Sequence, residues 1–77
     1  MESENTPGRG IVSIVADNIR AKRESMGLSQ EELADRAGYH RTYISSIERG
    51  KRNISIVTLE KISIALGVSV VVLVENE

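Results

Sequence analysis

The chain has 77 residues, enough for one domain with a modest hydrophobic core, and a domain of this size often gains stability by dimerising. It contains no cysteine, which excludes a disulfide framework and a thiolate metal site and fits a reducing compartment. The polar stretch 1–9 does not resemble a signal peptide, and the apolar run 70–74 is too short to span a membrane. We therefore expect a cytoplasmic protein with no membrane partner.

The net charge of −1 hides an uneven distribution of charge. Four of the eleven acidic residues lie close to the two ends of the chain, at Glu2, Glu4, Glu75 and Glu77. From Arg36 to Lys61, six basic residues stand against two acidic ones. A clustered basic excess is typical of a surface that binds phosphate groups, although charge alone fits an ordinary solvated surface equally well.

The first segment, residues 1–9, is polar, contains Pro7 and Gly8, and shows no periodicity, so we expect a disordered tail followed by one domain over residues 10–77. A first helix is predicted because apolar residues then recur at helical spacing. They are Ile11, Ile14, Val15, Ile19 and Met26. Gly27 is placed to end this helix.

The second predicted helix begins at about Gln30, because Ser29 and Glu32 have the spacing of a capping box. Gly38 ends it after two turns. Its inward-facing residues are predicted to be Leu33, Ala34 and Ala37.

A third short helix is predicted from about Arg41 to Arg49, with Ile44 and Ile47 facing the core and Gly50 ending it. After a basic loop, Ser55 is placed to cap a fourth helix over residues 56–66, which ends at Gly67. The inward-facing residues of this fourth helix are predicted to be Ile56, Leu59, Ile62 and Leu66.

The last segment, residues 69–77, gives conflicting signals. Ser69 is a suitable N-cap, but the β-branched valines of the run Val70–Val74 favour an extended chain. We predict a short fifth helix because every preceding element is helical. The run belongs either to the core or to a dimer interface, and the interface is the preferred interpretation for so small a chain. The fold class predicted is thus an all-α bundle of four to five short helices.

The two short helices around Gly38 have the spacing of a helix-turn-helix unit. Ala34 is small where the helices cross closely, Gly38 suits a turn at positive φ, and Ile44 packs into the groove of the preceding helix. The unit leaves an exposed face on the third helix, predicted to carry Arg41, Thr42, Ser45, Ser46 and Arg49. Arginine can donate two hydrogen bonds to guanine in the major groove, and threonine can contact a base edge or a thymine methyl.

Phosphate contacts are expected around this face. Gln30 stands at a helix N-terminus, where backbone N–H groups attract anions, and the helix start at Ser55 is a second such place. The basic residues Arg49, Lys51 and Arg52 flank the third helix, and Arg52 can reach a phosphate or the neighbouring minor groove.

The segment 19–68 resembles the Cro/CI-repressor (XRE-like) helix-turn-helix family through RAKRESMGLSQEELADRAG, ISSIERGKRN and LEKISIALGV. Within that family, HRTYISSIERGKRNIS is most similar to the controller proteins of restriction-modification systems. The resemblance implies a lambda-repressor-like domain of five helices. It also implies that the protein binds a palindromic operator in double-stranded DNA as a homodimer, and whether two dimers bind one operator stays open. Many members of the family carry a longer C-terminal domain that senses a ligand, and since 77 residues leave no room for one, we expect no effector.

The resemblance also assigns roles to residues. Base contacts are expected from Arg41, Thr42 and Ser46, with Tyr43 approaching the DNA. The resemblance assigns backbone contacts to Gln30 and Arg52, and their position around the third helix adds Ser45, Arg49, Lys51 and Asn53 to the backbone contacts that we expect. An ion pair between Arg23 and Glu48 is expected to join the first helix to the end of the third.

We expect no enzymatic activity and no cofactor, because no nucleophile–base pair, phosphate-binding glycine loop or ligand cluster is present. His40 is expected to be structural or exposed, and Tyr39 to pack at the turn. Two other functions stay open, an antitoxin of a toxin–antitoxin pair and a phage- or plasmid-type repressor. RNA polymerase is a further candidate partner if the protein activates transcription, and Glu48 with its neighbours is the surface considered for that contact.

Overall fold

Five α-helices and no strand are present in residues 10–76, the part of the chain that the computed structural model describes. They are α1 (Ile11–Ser25), α2 (Gln30–Ala37), α3 (Arg41–Glu48), α4 (Ile56–Leu66) and α5 (Val70–Val74). The predicted all-α fold is confirmed, including the short fifth helix. The tail predicted over residues 1–9 lies outside the described residues, as does residue 77.

The starts of α2 and α4 are fixed by serine caps. Ser29 Oγ accepts a hydrogen bond from the Glu32 backbone N–H at 3.0 Å, and the Ser29 N–H donates to Glu32 Oε1 at 2.8 Å, which completes the capping box. The backbone hydrogen bond from Ser29 also lowers the pKa of the Glu32 carboxyl. At α4, Ser55 Oγ accepts from the Thr58 backbone N–H at 3.0 Å.

A glycine in the left-handed region lies at the C-cap of α2 and of α4, and one residue beyond the C-cap of α1 and of α3. At the end of α2, Gly38 has φ +80°, and the Tyr39 N–H donates to the Ala34 carbonyl at 2.8 Å. A Cβ at Gly38 would meet nothing within 4 Å, so the backbone conformation, not lack of space, requires glycine there. This turn determines the angle at which α3 leaves α2.

The core is formed by residues from all five helices. The largest fully buried side chains are those of Ile19, Leu33, Ile44, Ile62, Leu66 and Leu73. Ala34 is also buried, as the predicted close contact of α2 with α3 requires. Ile44 and Ile47 of α3 both join this cluster, so the inner face of α3 is fixed and its outer face is left for solvent.

The prediction that Ile56 faces the core is wrong, because its side chain is 82% exposed. Three residues turn a helix by about 300°, so each step of three drifts by about 60° around the axis. Counting back from Ile62 by threes through Leu59 therefore moves Ile56 about 120° around the axis, away from the buried stripe. It lies instead on the outer face of α4 with Val57 and Ile64, which are also exposed.

The fifth helix is helical despite its valines because α1 holds it. The Asn18 side-chain amide on α1 donates to the Leu73 carbonyl at 3.0 Å and to the Glu75 carbonyl at 2.8 Å. These bonds satisfy carbonyls at the helix end, and Leu73 inserts into the core. Val71 and Val72 remain exposed, so the run contributes both to the core and to the surface. None of the helices in residues 10–76 is long and apolar enough to cross a membrane.

Candidate nucleic-acid interface

The outer face of α3 is polar and basic. Arg41 and Thr42, in its first turn, are exposed, and Arg49, which follows its last residue, is exposed as well. Ser45 is half-buried, and its hydroxyl accepts a hydrogen bond from the Arg49 guanidinium at 2.6 Å. We call this surface, with the following loop residues Lys51, Arg52 and Asn53, the basic face.

The cations of the basic face lack an acidic partner among the described residues. Arg41, Arg49, Lys51 and Arg52 are exposed, and within residues 10–76 none of them forms an ion pair. The only acidic residue from 41 to 59 is Glu48, which is buried and paired elsewhere. A patch of unneutralised positive charge on a projecting helix attracts a polyanion.

Beneath the basic face, the structure contains the ion pair expected between Arg23 and Glu48. Arg23 Nε lies 2.7 Å from Glu48 Oε2 and its Nη2 lies 2.9 Å from Oε1, a two-pronged contact with the Glu48 side chain only 2% exposed. The hydrogen bond to Glu48 raises the pKa of the Arg23 guanidinium. Arg20 adds a bond from its guanidinium to the Glu48 carbonyl at 2.9 Å. Together these contacts hold the end of α3 on α1.

The Glu48 carboxylate is therefore not exposed for a contact with RNA polymerase, and that contact stays a prediction for the neighbours of Glu48. Its carboxylate is enclosed by Arg23 and by Gln30, whose side-chain amide donates to Glu48 Oε1 at 3.1 Å. Periodicity alone did not reveal this, because the last turn of α3 is buried by α1 rather than by the apolar core.

Gln30 occupies the first position of α2 and is half-buried. Its amide nitrogen is directed towards Glu48, while its backbone N–H belongs to the unpaired first turn of the helix. The backbone N–H and the second amide hydrogen are what Gln30 offers to a phosphate. Its contact with DNA stays a prediction.

The prediction that Ser46 lies on the exposed face is wrong. Helical spacing places it opposite Ile44, but the loop after α3 folds back and buries it. The Ser46 hydroxyl donates to the Tyr43 carbonyl at 2.8 Å and accepts from Arg52 Nε at 3.2 Å. In this conformation Ser46 reaches the surface only through Arg52.

Two residues next to the basic face have local partners. His40 is the N-cap of α3 without a side-chain cap bond, and its Nδ1 lies 3.3 Å from Thr42 Oγ1. The ring of Tyr43 is half-buried, with the Arg52 guanidinium carbon 5.2 Å from its centre. No group of three or more His, Asp or Glu that could hold a metal ion occurs in the described part of the chain.

The fold and the basic face define a helix-turn-helix DNA-binding regulator. The helix-turn-helix family pattern matches residues 19–73, and the chain belongs to this family. It is 48% identical over 60 residues to control protein C.SmaI of Serratia marcescens, covering 78% of this chain and 71% of that protein.

Solved structures agree with this assignment. A hypothetical transcription factor from Neisseria superposes with a TM-score of 0.85 at 37% identity, covering 99% of this chain and 83% of that chain. The restriction-modification controller protein C.Esp1396I, solved as a tetramer with its 35-base-pair operator, gives a TM-score of 0.78 at 43% identity, over 84% of this chain and 86% of that one.

Proposed function

We propose that this protein is a homodimeric transcriptional regulator that reads a palindromic operator with the basic face. The proposal is carried by the exposed cations around α3, which form no ion pair within residues 10–76, together with the buried ion pair that holds the end of the helix on α1. Arg41 and Thr42 would contact base edges, with Tyr43 beside them. Ser45, Arg49, Lys51, Arg52, Asn53 and the start of α2 at Gln30 would contact the backbone.

The contribution of phosphate contacts is tested by the salt dependence of binding to duplex DNA. Each neutralised phosphate adds about 0.9 to the slope of log affinity against log salt. We expect Arg49→Ala and Lys51→Ala each to lower the slope by roughly one. The control is Arg36→Ala, an exposed arginine on α2 outside the basic face, which should leave the slope unchanged. Equal slopes in all variants would contradict the assignment of the face.

The dimer is supported by apolar side chains that this chain leaves uncovered. Ile64 on α4 is 71% exposed and Val71 on α5 is 59% exposed, and Val72 is exposed beside it. Large exposed aliphatic groups on two neighbouring helices are typical of a surface that another protein covers. A second copy of the chain would bury this surface and place two recognition helices about 34 Å apart, in successive major grooves.

Charged substitutions on this surface should dissociate the dimer. Because Ile64 and Val71 are exposed, Ile64→Glu and Val71→Glu should leave the protomer folded while placing charges in the interface. Sedimentation equilibrium should then show monomers, with weaker operator binding. Ile11→Glu, the same charge introduced at an exposed isoleucine in the first turn of α1, is the matched control. Intact dimers in both variants would overturn this interface.

The more specific proposal is that the operator belongs to a restriction-modification system. It is supported by the identity to C.SmaI and by the superposition on C.Esp1396I. The neighbouring reading frames discriminate between the candidates. A nuclease and a methyltransferase would support the controller, whereas a small toxin would support an antitoxin in its place.

A further inference from the structure

Four side chains form a continuous row across the back of the basic face, which we call the aromatic row. Lys61 Nζ on α4 lies 5.6 Å from the centre of the Tyr39 ring. The Tyr39 and Tyr43 rings lie 5.0 Å apart at 52°, and the Arg52 guanidinium carbon lies 5.2 Å from the centre of the Tyr43 ring. Each of these separations is in the favourable range for ring–ring or cation–ring contact.

The inner part of the row is fixed to the scaffold at Tyr39. Its hydroxyl donates to Thr58 Oγ1 at 3.0 Å, and Thr58 is buried in the first turn of α4. Its backbone N–H is bonded to the Ala34 carbonyl in the turn after α2, and its ring packs on the core. Tyr39 is thus held by three elements and does not itself belong to the basic face.

The outer end of the row is the loop residue Arg52. Its Nε donates to Ser46 Oγ at 3.2 Å, and within residues 10–76 its two terminal nitrogens have no hydrogen-bond partner. The guanidinium is therefore held on one edge and on one face, while its outer N–H groups stay available. An arginine held in this way loses less side-chain entropy on binding than a freely rotating one.

We propose that Tyr39 is a positioning residue for DNA binding, which braces the Tyr43 ring and thereby keeps the Arg52 guanidinium ready to contact DNA. The inference rests on the proposed function, since it assigns Arg52 to the DNA contact. Tyr39 lies in the turn after α2, outside the basic face, and its effect on DNA binding is transmitted by Arg52. Ser46 has a matching role at the edge of the guanidinium, where it accepts the hydrogen bond from Arg52 Nε.

The test is a double-mutant cycle on operator affinity with Tyr39→Leu, Tyr39→Phe and Arg52→Ala. Tyr39→Leu removes the ring and should weaken binding by about tenfold. Tyr39→Phe keeps the ring and loses only the bond to Thr58, so its affinity should stay close to that of the unchanged protein. In the Arg52→Ala background, Tyr39→Leu should have no further effect, because both substitutions remove the same interaction.

A second measurement, made on the protein without DNA, tests whether Tyr39 keeps the Arg52 guanidinium on the Tyr43 ring. The Arg52 side-chain proton resonances should be shifted by the Tyr43 ring in the unchanged protein and in Tyr39→Phe, and should move to random-coil positions in Tyr39→Leu. Unchanged Arg52 resonances in Tyr39→Leu would overturn the proposal, as would additive losses of affinity in the cycle. Failure of the unchanged protein to bind any specific duplex would overturn the proposed function, whereas the resonances would still report whether Tyr39 holds Arg52.

Discussion

Replacing Arg41 by glutamate is expected to abolish specific DNA binding without destabilising the protein. Arg41 is exposed, and no hydrogen bond or ion pair holds it within the described residues. It also stands in the first turn of α3, where the helix dipole disfavours a positive charge and favours a negative one. The substitution should therefore leave the unfolding free energy unchanged or slightly higher. A loss of DNA binding without a loss of stability is the combination expected of a residue that serves binding.

The loss of affinity should be large. A two-pronged arginine–guanine contact contributes about 1–3 kcal/mol of discrimination, and the new carboxylate adds repulsion from the phosphates. We expect specific affinity to fall by at least about 100-fold in a mobility-shift titration. Arg36→Glu on α2 makes the same charge change outside the basic face and should have a much smaller effect. Equal losses in the two variants would mean that net charge, not position, governs binding.

Removing the Glu48 carboxylate should be the most destabilising single change around the site. Glu48→Ala removes the buried carboxylate that pairs with Arg23, whose guanidinium keeps only the Leu28 carbonyl and the exposed Glu24 carboxylate at 3.8 Å, and it removes the acceptor of the Gln30 side-chain amide. Breaking one side of such a pair costs about 3–5 kcal/mol of unfolding free energy, a large share of the stability of a small domain. Chemical denaturation followed by circular dichroism measures it.

The control is the double replacement Arg23→Met with Glu48→Leu. When both charges are removed, no unpaired charge is left in the interior. Well-packed apolar pairs of similar size are often as stable as the ion pair they replace. The double variant should therefore recover most of the lost stability. A double variant as unstable as Glu48→Ala would show that shape, not charge, holds α3 on α1. Wild-type stability of Glu48→Ala would show that the pair contributes little.

Much of the fold could be predicted because its signals are local. The Ser29–Glu32 capping box and Gly38 determine where α2 begins and ends, and each acts within one helical turn. The same holds for Ser55 and Gly67 at the two ends of α4. Since α2 and α3 are short and their buried residues are few, fixing these ends was enough to place the outer face of α3.

One error occurred where a contact joins two segments that spacing treats as independent, and the other where a regular spacing leaves the buried stripe of its own helix. Ser46 is on the outer side of α3 by spacing, but the loop that carries Arg52 folds back over it. Ile56 follows the apolar spacing of α4 but drifts off the buried stripe. For Ser46 the missing information was the path of the loop after α3, and for Ile56 it was the angular drift of a three-residue spacing around the axis of α4.

The roles of Tyr39 and Asn18 could not be obtained from the sequence for the same reason. Tyr39 was expected to pack at the turn, which it does, but its contacts with Thr58 and Tyr43 depend on how α4 and α3 are arranged. Asn18 holds the end of α5 across 55 residues of chain. Side chains that connect distant segments have no signature in local spacing.

Selection of duplex DNA from a random pool shows whether the basic face reads a specific sequence. We expect the selection to enrich a palindromic consensus of two half-sites whose centres lie about one helical turn apart. The affinity for this consensus should fall steeply as the salt concentration rises. Enrichment should disappear with Arg41→Glu and persist with Arg36→Glu. If the unchanged protein enriches no sequence, or binds all duplexes with equal and weak affinity, the basic face does not read DNA and the account is contradicted.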